Sequence, residues 1–150
     1  MKFLTTILKK AVVDLGGVDT SEKNYVDTYS ENIMQNIPGE KIATLENGGI
    51  WTEFSEIGDY EFMEVHIIGK EEYKSQTGAK LEFISKNNTI GTLESDTKEI
   101  ESRFSNVSNR YLTSISFETT DLNLDFLLDR KADTILFICK NKKEQFEVIQ

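Results

Sequence analysis

The single histidine of this 150-residue chain lies two positions after a glutamate, in a stretch that carries a second glutamate close by. Residues two apart on a β-strand share a face, so Glu64 and His66 would point the same way. Glu53 joins them if the stretch folds back on itself as a hairpin. An imidazole and two carboxylates can bind a divalent cation or act as general acid and base. These three residues are therefore the first candidates for a catalytic or metal site.

The stretch from 50 to 68 predicts a β-hairpin that would bring these side chains together. Two runs rich in β-branched and aromatic residues flank Gly58-Asp59, a dipeptide that favours a two-residue hairpin turn. With this loop, one face carries the pairs Ile50–Ile67, Thr52–Val65 and Phe54–Met63 and is expected to be buried. The other face carries the pairs Trp51–His66, Glu53–Glu64, Ser55–Phe62 and Ile57–Tyr60.

Like charges oppose each other twice in this predicted hairpin. Glu53 faces Glu64 on the second face, and Glu56 faces Glu61 on the opposite face, near the turn. Directly opposed like charges destabilise a strand pair. We therefore expect a positively charged group to relieve them.

Negative charge is concentrated around the hairpin. The sequence has 17 basic and 26 acidic residues, which give a formal net charge of −9. Residues 40–72 hold nine acidic residues against Lys41 and Lys70, and thus carry −7 of that total. Such a chain repels phosphate backbones, so we expect no nucleic-acid partner. An acidic surface can attract a basic protein, although it also serves simply to keep a protein in solution.

Three interpretations of the hairpin remain open. It forms a metal or acid–base site, or it docks a basic protein through aromatic side chains inside a charged rim, as interfaces do. In the third interpretation its aromatic residues form a second buried face and its glutamates pair with lysines from elsewhere. The predicted partner-binding residues are Trp51, Glu53, Glu56, Tyr60, Glu61, Phe62, Glu64 and His66.

Other chemical signatures are absent from the sequence. It has no P-loop, dinucleotide-binding or nucleophile-elbow motif, and no CxxC pair for zinc. The lone Cys139 has no cysteine to pair with and is expected to be a small buried apolar side chain. No run approaches the roughly 18 apolar residues of a membrane span, and no signal peptide is recognisable. We expect no cofactor, no bound metal, no membrane span and a cytoplasmic location.

The periodicity of apolar residues predicts two helices followed by a sheet. Helical spacing runs through 2–15 and about 21–37, whereas from Glu40 onward the period changes to two. The predicted strands are Lys41–Glu46, Ile50–Ile57, Tyr60–Ile68, Ala79–Ser85, Thr89–Glu94, Tyr111–Thr119, Thr134–Lys140 and Gln145–Ile149. This pattern predicts one α+β domain over 1–150, with an N-terminal helical hairpin in 1–38. A mainly antiparallel, curved sheet or partial barrel of about 7–8 strands would follow in 40–150.

Two further hairpins and two ambiguous segments complete the prediction. Leu81 is expected to pair with Leu93, and a four-residue loop, Asn141–Glu144, is expected to pair Cys139 with Phe146. Residues 96–109 predict a short helix or an ordered loop. Residues 121–131 predict one helix with its leucines toward the core.

These features favour a non-catalytic binding or inhibitory protein that docks a basic protein surface. In this respect the chain resembles the small acidic α+β immunity proteins that neutralise bacterial toxins. The resemblance is one of composition and assigns no residues. The alternative from another class is a curved sheet that encloses a small apolar ligand, and a metal-dependent enzyme is third.

Overall fold

Alternating apolar and polar residues fold into an extensive antiparallel sheet. The computed structural model describes residues 36–105 and 109–150. The strands are β1 Glu40–Leu45, β2 Gly48–Ile57, β3 Tyr60–Gly69, β4 Lys74–Ser75, β5 Lys80–Ser85, β6 Asn88–Glu94, β7 Ile100–Glu101, β8 Arg103–Phe104, β9 Tyr111–Glu118, β10 Thr134–Cys139 and β11 Lys142–Val148. Within the described ranges the one helix is α1, Asp125–Leu128.

Nine strands form one sheet in the order β6-β5-β10-β11-β1-β2-β3-β9-β8, and β4 pairs with β7 in a small second sheet. Every pair of neighbouring strands is antiparallel. Five of the eight pairs in the nine-stranded sheet join consecutive strands. The pairs β1–β11, β5–β10 and β3–β9 join strands that are distant in the sequence, and they fix the order of the sheet.

The two ends of the nine-stranded sheet approach each other. The backbone N–H groups of Asp96 and Thr97, which follow edge strand β6, donate to the Ser116 carbonyl oxygen on β9 at 3.1 and 3.4 Å. In return the Ser116 N–H donates to Thr97 Oγ1 at 2.9 Å. The sheet therefore curls around its own inner face.

The core fills the inside of this curl. Val65 and Ile67 of β3 are fully buried, as are Phe117 of β9 and Phe137 of β10. Tyr73, between β3 and β4, packs edge-on against Phe137 with 4.7 Å between the ring centroids. One continuous apolar cluster thus connects the strands on both sides of the sheet centre.

The α+β class predicted from the sequence is wrong for the described residues. Strands make up 59% of them and helix 4%. The predicted helix over 121–131 shrinks to the four residues of α1, because Asp121 and Arg130 on either side have left-handed backbone angles, with φ of 61° and 53°. Residues 96–105, for which the sequence left a short helix or an ordered loop open, contain no helix. Their regular elements are the two-residue strands β7 and β8. The predicted helical hairpin of 1–38 lies almost entirely outside the described residues.

No helix in the described part of the chain has the length and apolar character needed to cross a membrane.

Two of the three predicted hairpin registers are confirmed. All the pairs predicted for 50–68 occur between β2 and β3. Leu81 pairs with Leu93, with a bulge after Phe83. The C-terminal hairpin is wrong, because Cys139 pairs with Lys142 around a two-residue loop.

Candidate functional site

The turn of the β2–β3 hairpin is built on Gly58. Its φ is +60°, and a Cβ added there would meet no atom within 4 Å. Asp59 keeps the ordinary negative φ, which matches the type II′ turn that glycine at the first loop position favours. Strand β1 pairs with β2 only as far as Thr52. The half of the hairpin nearest the turn therefore extends past the end of β1.

This outer half carries a group of acidic residues that we call the acidic tip. It comprises Glu53, Glu56, Asp59, Glu61, Glu64 and, from the neighbouring strand β9, Glu118. Within it, Ile57 and Tyr60 pair directly across the turn and are 68% and 57% exposed. Two large side chains, one apolar and one aromatic, thus stand in solvent among carboxylates.

The carboxylates of the acidic tip have little positive charge nearby. Among residues 36–105 and 109–150, no ion pair with a basic side chain involves Glu56, Asp59, Glu61, Glu64 or Glu118. Glu53 alone has a contact of this type, 3.8 Å from Oε1 to Nε2 of His66. The like-charged pairs Glu53–Glu64 and Glu56–Glu61 both occur in the structure. The third interpretation paired these glutamates with lysines from elsewhere, and no such pair is present among the ion pairs of the described residues.

His66 lies beneath this surface. Its Nδ1 is 2.9 Å from the Ser114 hydroxyl on β9. Its Nε2 is buried and has no hydrogen-bond partner in the described part of the chain. The imidazole is thus held between Ser114 of β9 on its Nδ1 side and Glu53 of β2 on its Nε2 side.

Trp51 lies on the same face of the hairpin, at the end far from the turn. It is 4% exposed, and it packs with Ile68, Ile37 and Leu112. Lys41 Nζ lies 5.2 Å from the centre of the indole ring, within the range of a cation–π contact. Burial lowers the pKa of the Lys41 ammonium below its usual value. Of the two interpretations of this tryptophan, the structure places it in a packed cluster and not at an exposed surface.

The eight predicted partner-binding residues therefore fall into three groups. Glu56, Tyr60 and Glu61 are exposed, and Trp51 is buried. The half-buried residues are Glu53, Phe62, Glu64 and His66. The structure adds Ile57, Asp59 and Glu118 to the exposed surface around them. Sequence reasoning had Ile57 and Asp59 in the same hairpin, but Glu118 joins through the β3–β9 pairing, which no local pattern reveals.

A metal site is not supported by the geometry. Within the described ranges, no group of three or more His, Cys, Asp and Glu side chains is arranged to hold a metal ion. Glu53, Glu64 and His66 do not form such a group.

A buried polar cluster on the other side of the sheet was missed by the sequence reasoning. Glu144 is only 8% exposed. Its carboxylate accepts hydrogen bonds of 2.6 Å from the Tyr73 hydroxyl and 2.6 Å from the Lys70 N–H. Burial, followed by the hydrogen bond to Glu144, raises the pKa of Tyr73 well above its usual value. Because two donors satisfy the carboxylate, we interpret this cluster as structural.

Cys139 is buried, as the sequence predicts, and is 2% exposed. Burial raises the pKa of its thiol above the usual value, and this outweighs a hydrogen bond with Ser75. A thiol in this state is a poor nucleophile, since the thiolate is the reactive form.

Comparisons of the chain with models of protein families, with curated proteins and with solved structures found no match. Fold and site together describe a curled antiparallel-sheet protein in which the β2–β3 hairpin has an exposed, acidic end.

Proposed function

We propose that this protein is a non-catalytic docking protein that binds the basic surface of another protein through the acidic tip. The observation that carries the proposal is a set of five carboxylates that have no basic partner among the described residues. They lie on both faces of the hairpin end that exposes Ile57 and Tyr60. Opposed glutamates weaken the hairpin in the free protein. A cationic partner compensates the opposed charges. Part of the binding free energy therefore comes from the loss of repulsion between the glutamates of the hairpin.

The two kinds of residue in the acidic tip have different roles in this proposal. Carboxylates accelerate the encounter with a positively charged partner and select against acidic ones. Tyr60 and Ile57 supply apolar contact area, which gives most of the affinity at protein interfaces. Trp51 is too deeply buried to touch a partner and instead supports the base of the hairpin.

The class of partner follows from charge. The net charge of −9 disfavours nucleic acid, whose phosphates would meet the same carboxylates. A basic protein in the cytoplasm, bound without catalysis, is the partner and setting that we infer. An inhibitory role, in which the tip covers a functional basic surface of the partner, is the form of the proposal closest to the immunity proteins.

Site-specific photo-crosslinking tests the proposal. A benzoylphenylalanine at position 60 replaces one exposed aromatic side chain with another and captures whatever contacts the tip in cells. The captured protein is identified by mass spectrometry, purified and titrated with the wild-type chain. We expect a basic protein, whose affinity falls by about tenfold or more between about 50 and 300 mM NaCl.

Charge-reversal variants distinguish binding through the acidic tip from attraction by the overall negative charge of the chain. We expect Glu56→Lys combined with Glu61→Lys to abolish binding of the purified partner. The control combines Glu94→Lys with Glu147→Lys, which makes the same change of charge at exposed positions outside the tip. Equal loss of binding in both double variants, or a captured protein that is acidic, would refute the docking site.

A further inference from the structure

A cavity of about 340 Å³ lies between helix α1 and the inner face of strands β1 and β2. Its apolar lining comes from Ile42, Phe54, Leu127 and Leu128, and its polar lining comes from Glu40, Thr52 and Arg130. The volume lies within the range of about 300 to 1,000 Å³ that is typical of small-molecule sites. An apolar wall with a few polar groups is also typical of such sites.

The polar side of the cavity is an ordered ion pair. One terminal nitrogen of Arg130 donates to Glu40 Oε1 at 2.8 Å, and the other donates to the Ile149 carbonyl oxygen at 2.6 Å. A guanidinium has five N–H donors and a carboxylate has two oxygens, so both partners keep hydrogen-bonding capacity beyond this pair. Because the two charges compensate each other, the cavity presents hydrogen-bonding groups without a net charge.

The apolar side includes a leucine that is left partly in water. Leu128 is 44% exposed, although it belongs to the cavity wall, whereas its neighbour Leu127 is 7% exposed. An apolar molecule in the cavity would cover Leu128 and remove this surface from water, which is favourable. Thr52 and Phe54, on the opposite wall, lie on either side of Glu53 along β2, so their side chains are on the other face of the strand from Glu53.

We propose that this cavity binds an uncharged, largely apolar small molecule whose single hydroxyl or carbonyl group contacts the Arg130–Glu40 pair. A charged group would have to displace one member of that pair and leave the other uncompensated, which is costly. The net charge of the chain further disfavours an anionic ligand. This site is separate from the acidic tip, and the two proposals stand or fall independently.

Titration with N-phenyl-1-naphthylamine, an uncharged apolar fluorophore, tests the site. We expect a saturable rise in fluorescence at one molecule per chain. We expect 1-octanol to displace the fluorophore at about tenfold or more lower concentration than octanoate at neutral pH. A rise that does not saturate, or equal displacement by the alcohol and the carboxylate, would refute the inference.

Two leucine variants locate the binding. Leu128→Trp adds a large side chain to the wall and should weaken fluorophore binding by about tenfold or more. Leu122→Trp is the matched control, since Leu122 is also exposed, at 51%, and is not among the residues that line the cavity. Melting temperatures establish that both variants are folded. If the two variants bind the fluorophore equally well, the cavity is not the site.

Discussion

The hydrogen bond between Tyr73 and Glu144 ties the segment after β3 to the C-terminal hairpin. Glu144 lies on the inner face of β11, and its carboxylate sits so close to Gly69 that a Cβ at that position would approach Glu144 Oε1 to 2.5 Å. A buried carboxylate is costly unless donors satisfy it. The tyrosine hydroxyl and the Lys70 N–H donate to it. Gly69 leaves room for the Glu144 carboxylate, and Tyr73 supplies one of its two donors.

Removal of the Tyr73 hydroxyl should change both stability and its dependence on pH. At neutral pH we expect Tyr73→Phe to lower the free energy of unfolding by about 1 to 3 kcal/mol, because Glu144 loses one donor. In the unfolded chain the Tyr73 hydroxyl loses its proton near pH 10. In the folded protein its pKa is raised, so it keeps the proton above that pH. The wild type therefore loses about 1.4 kcal/mol per pH unit above that point, and Tyr73→Phe does not share this loss.

Urea unfolding from pH 8 to 11 measures this difference. The free energies of wild type and Tyr73→Phe should converge above pH 10. Tyr60→Phe is the control for the loss of a tyrosine hydroxyl, because Tyr60 is 57% exposed and its substitution should change the free energy of unfolding at neutral pH by less than about 0.5 kcal/mol. A constant difference between wild type and Tyr73→Phe across this range would contradict the role of the buried hydroxyl.

The facing charges of Glu53 and Glu64 lead to a second prediction, namely that neutralising one of them stabilises the protein. Glu64→Gln removes one of two like charges that face each other across β2 and β3. We expect the free energy of unfolding to rise by about 0.2 to 1 kcal/mol at low salt. At about 1 M NaCl, where charges are screened within a few ångströms, this gain should vanish.

Glu82→Gln is the matched control for the opposed pair. Glu82 lies 3.6 Å from Lys80 in an ion pair of opposite charges, so its neutralisation should give no gain in stability. Chemical denaturation of both variants at low and high salt measures the comparison. A salt-independent gain for Glu64→Gln would mean that the stabilisation is not electrostatic.

At the level of single residues, the sequence could predict which side chains of the hairpin share a face, but not how deeply each one is buried. Exposed Tyr60 and buried Trp51 lie on the same face of the hairpin. The difference comes from Ile37 and Leu112, which pack near the tryptophan from other parts of the chain. Glu144 was predicted to lie in a loop because the register of its hairpin was wrong by four residues.

The β2–β3 hairpin depends on the backbone conformation of one turn residue. Gly58 has a φ of +60°, with open space around it. Gly58→Ala should therefore cost about 1 to 2 kcal/mol through the backbone alone, since no side-chain clash contributes. Asp59→Ala is the control at the other loop position and should change stability by less than about 0.5 kcal/mol. Thermal unfolding of the two variants gives the comparison, and equal stabilities would rule out the strained turn.

Elements joined by short turns were the most predictable part of the fold. The Gly58-Asp59 turn fixes a two-residue loop, and the alternation of apolar residues then sets every pair of β2 and β3. In the β10–β11 hairpin the loop is Lys140 and Asn141, and Lys140 has a φ of +54°. Lysine carries no sequence signal for that conformation. Because the register error was an even number of residues, Cys139 and Phe146 were still assigned to the correct face.

At the scale of the whole molecule, the order of strands could not be predicted. The sheet is held together by β1–β11, β5–β10 and β3–β9, and these pairs join strands separated by long stretches of sequence. Alternation reports which face of a strand is apolar but does not identify the neighbouring strand. The non-local pair β3–β9 brings Glu118 to the acidic tip, so the full charge of the candidate site became visible only with the fold.

The last prediction concerns closure of the curled sheet, where one side-chain hydroxyl supplies one of the three hydrogen bonds described between the sheet ends. Thr97 Oγ1 accepts the hydrogen bond of the Ser116 N–H at 2.9 Å, where the residues after β6 meet β9. Thr97→Val keeps the shape of the side chain but leaves this N–H without its acceptor, which should cost about 1 to 3 kcal/mol.

Amide hydrogen exchange at Ser116 should accelerate more than exchange at the centre of β3, because the contact between the sheet ends opens first. Thr92→Val is the control, since Thr92 is exposed on β6 itself, and it should leave exchange at Ser116 unchanged. If Ser116 exchanges at the wild-type rate in Thr97→Val, the hydroxyl does not hold the ends of the sheet together, and the backbone bonds from Asp96 and Thr97 to Ser116 are sufficient to do so.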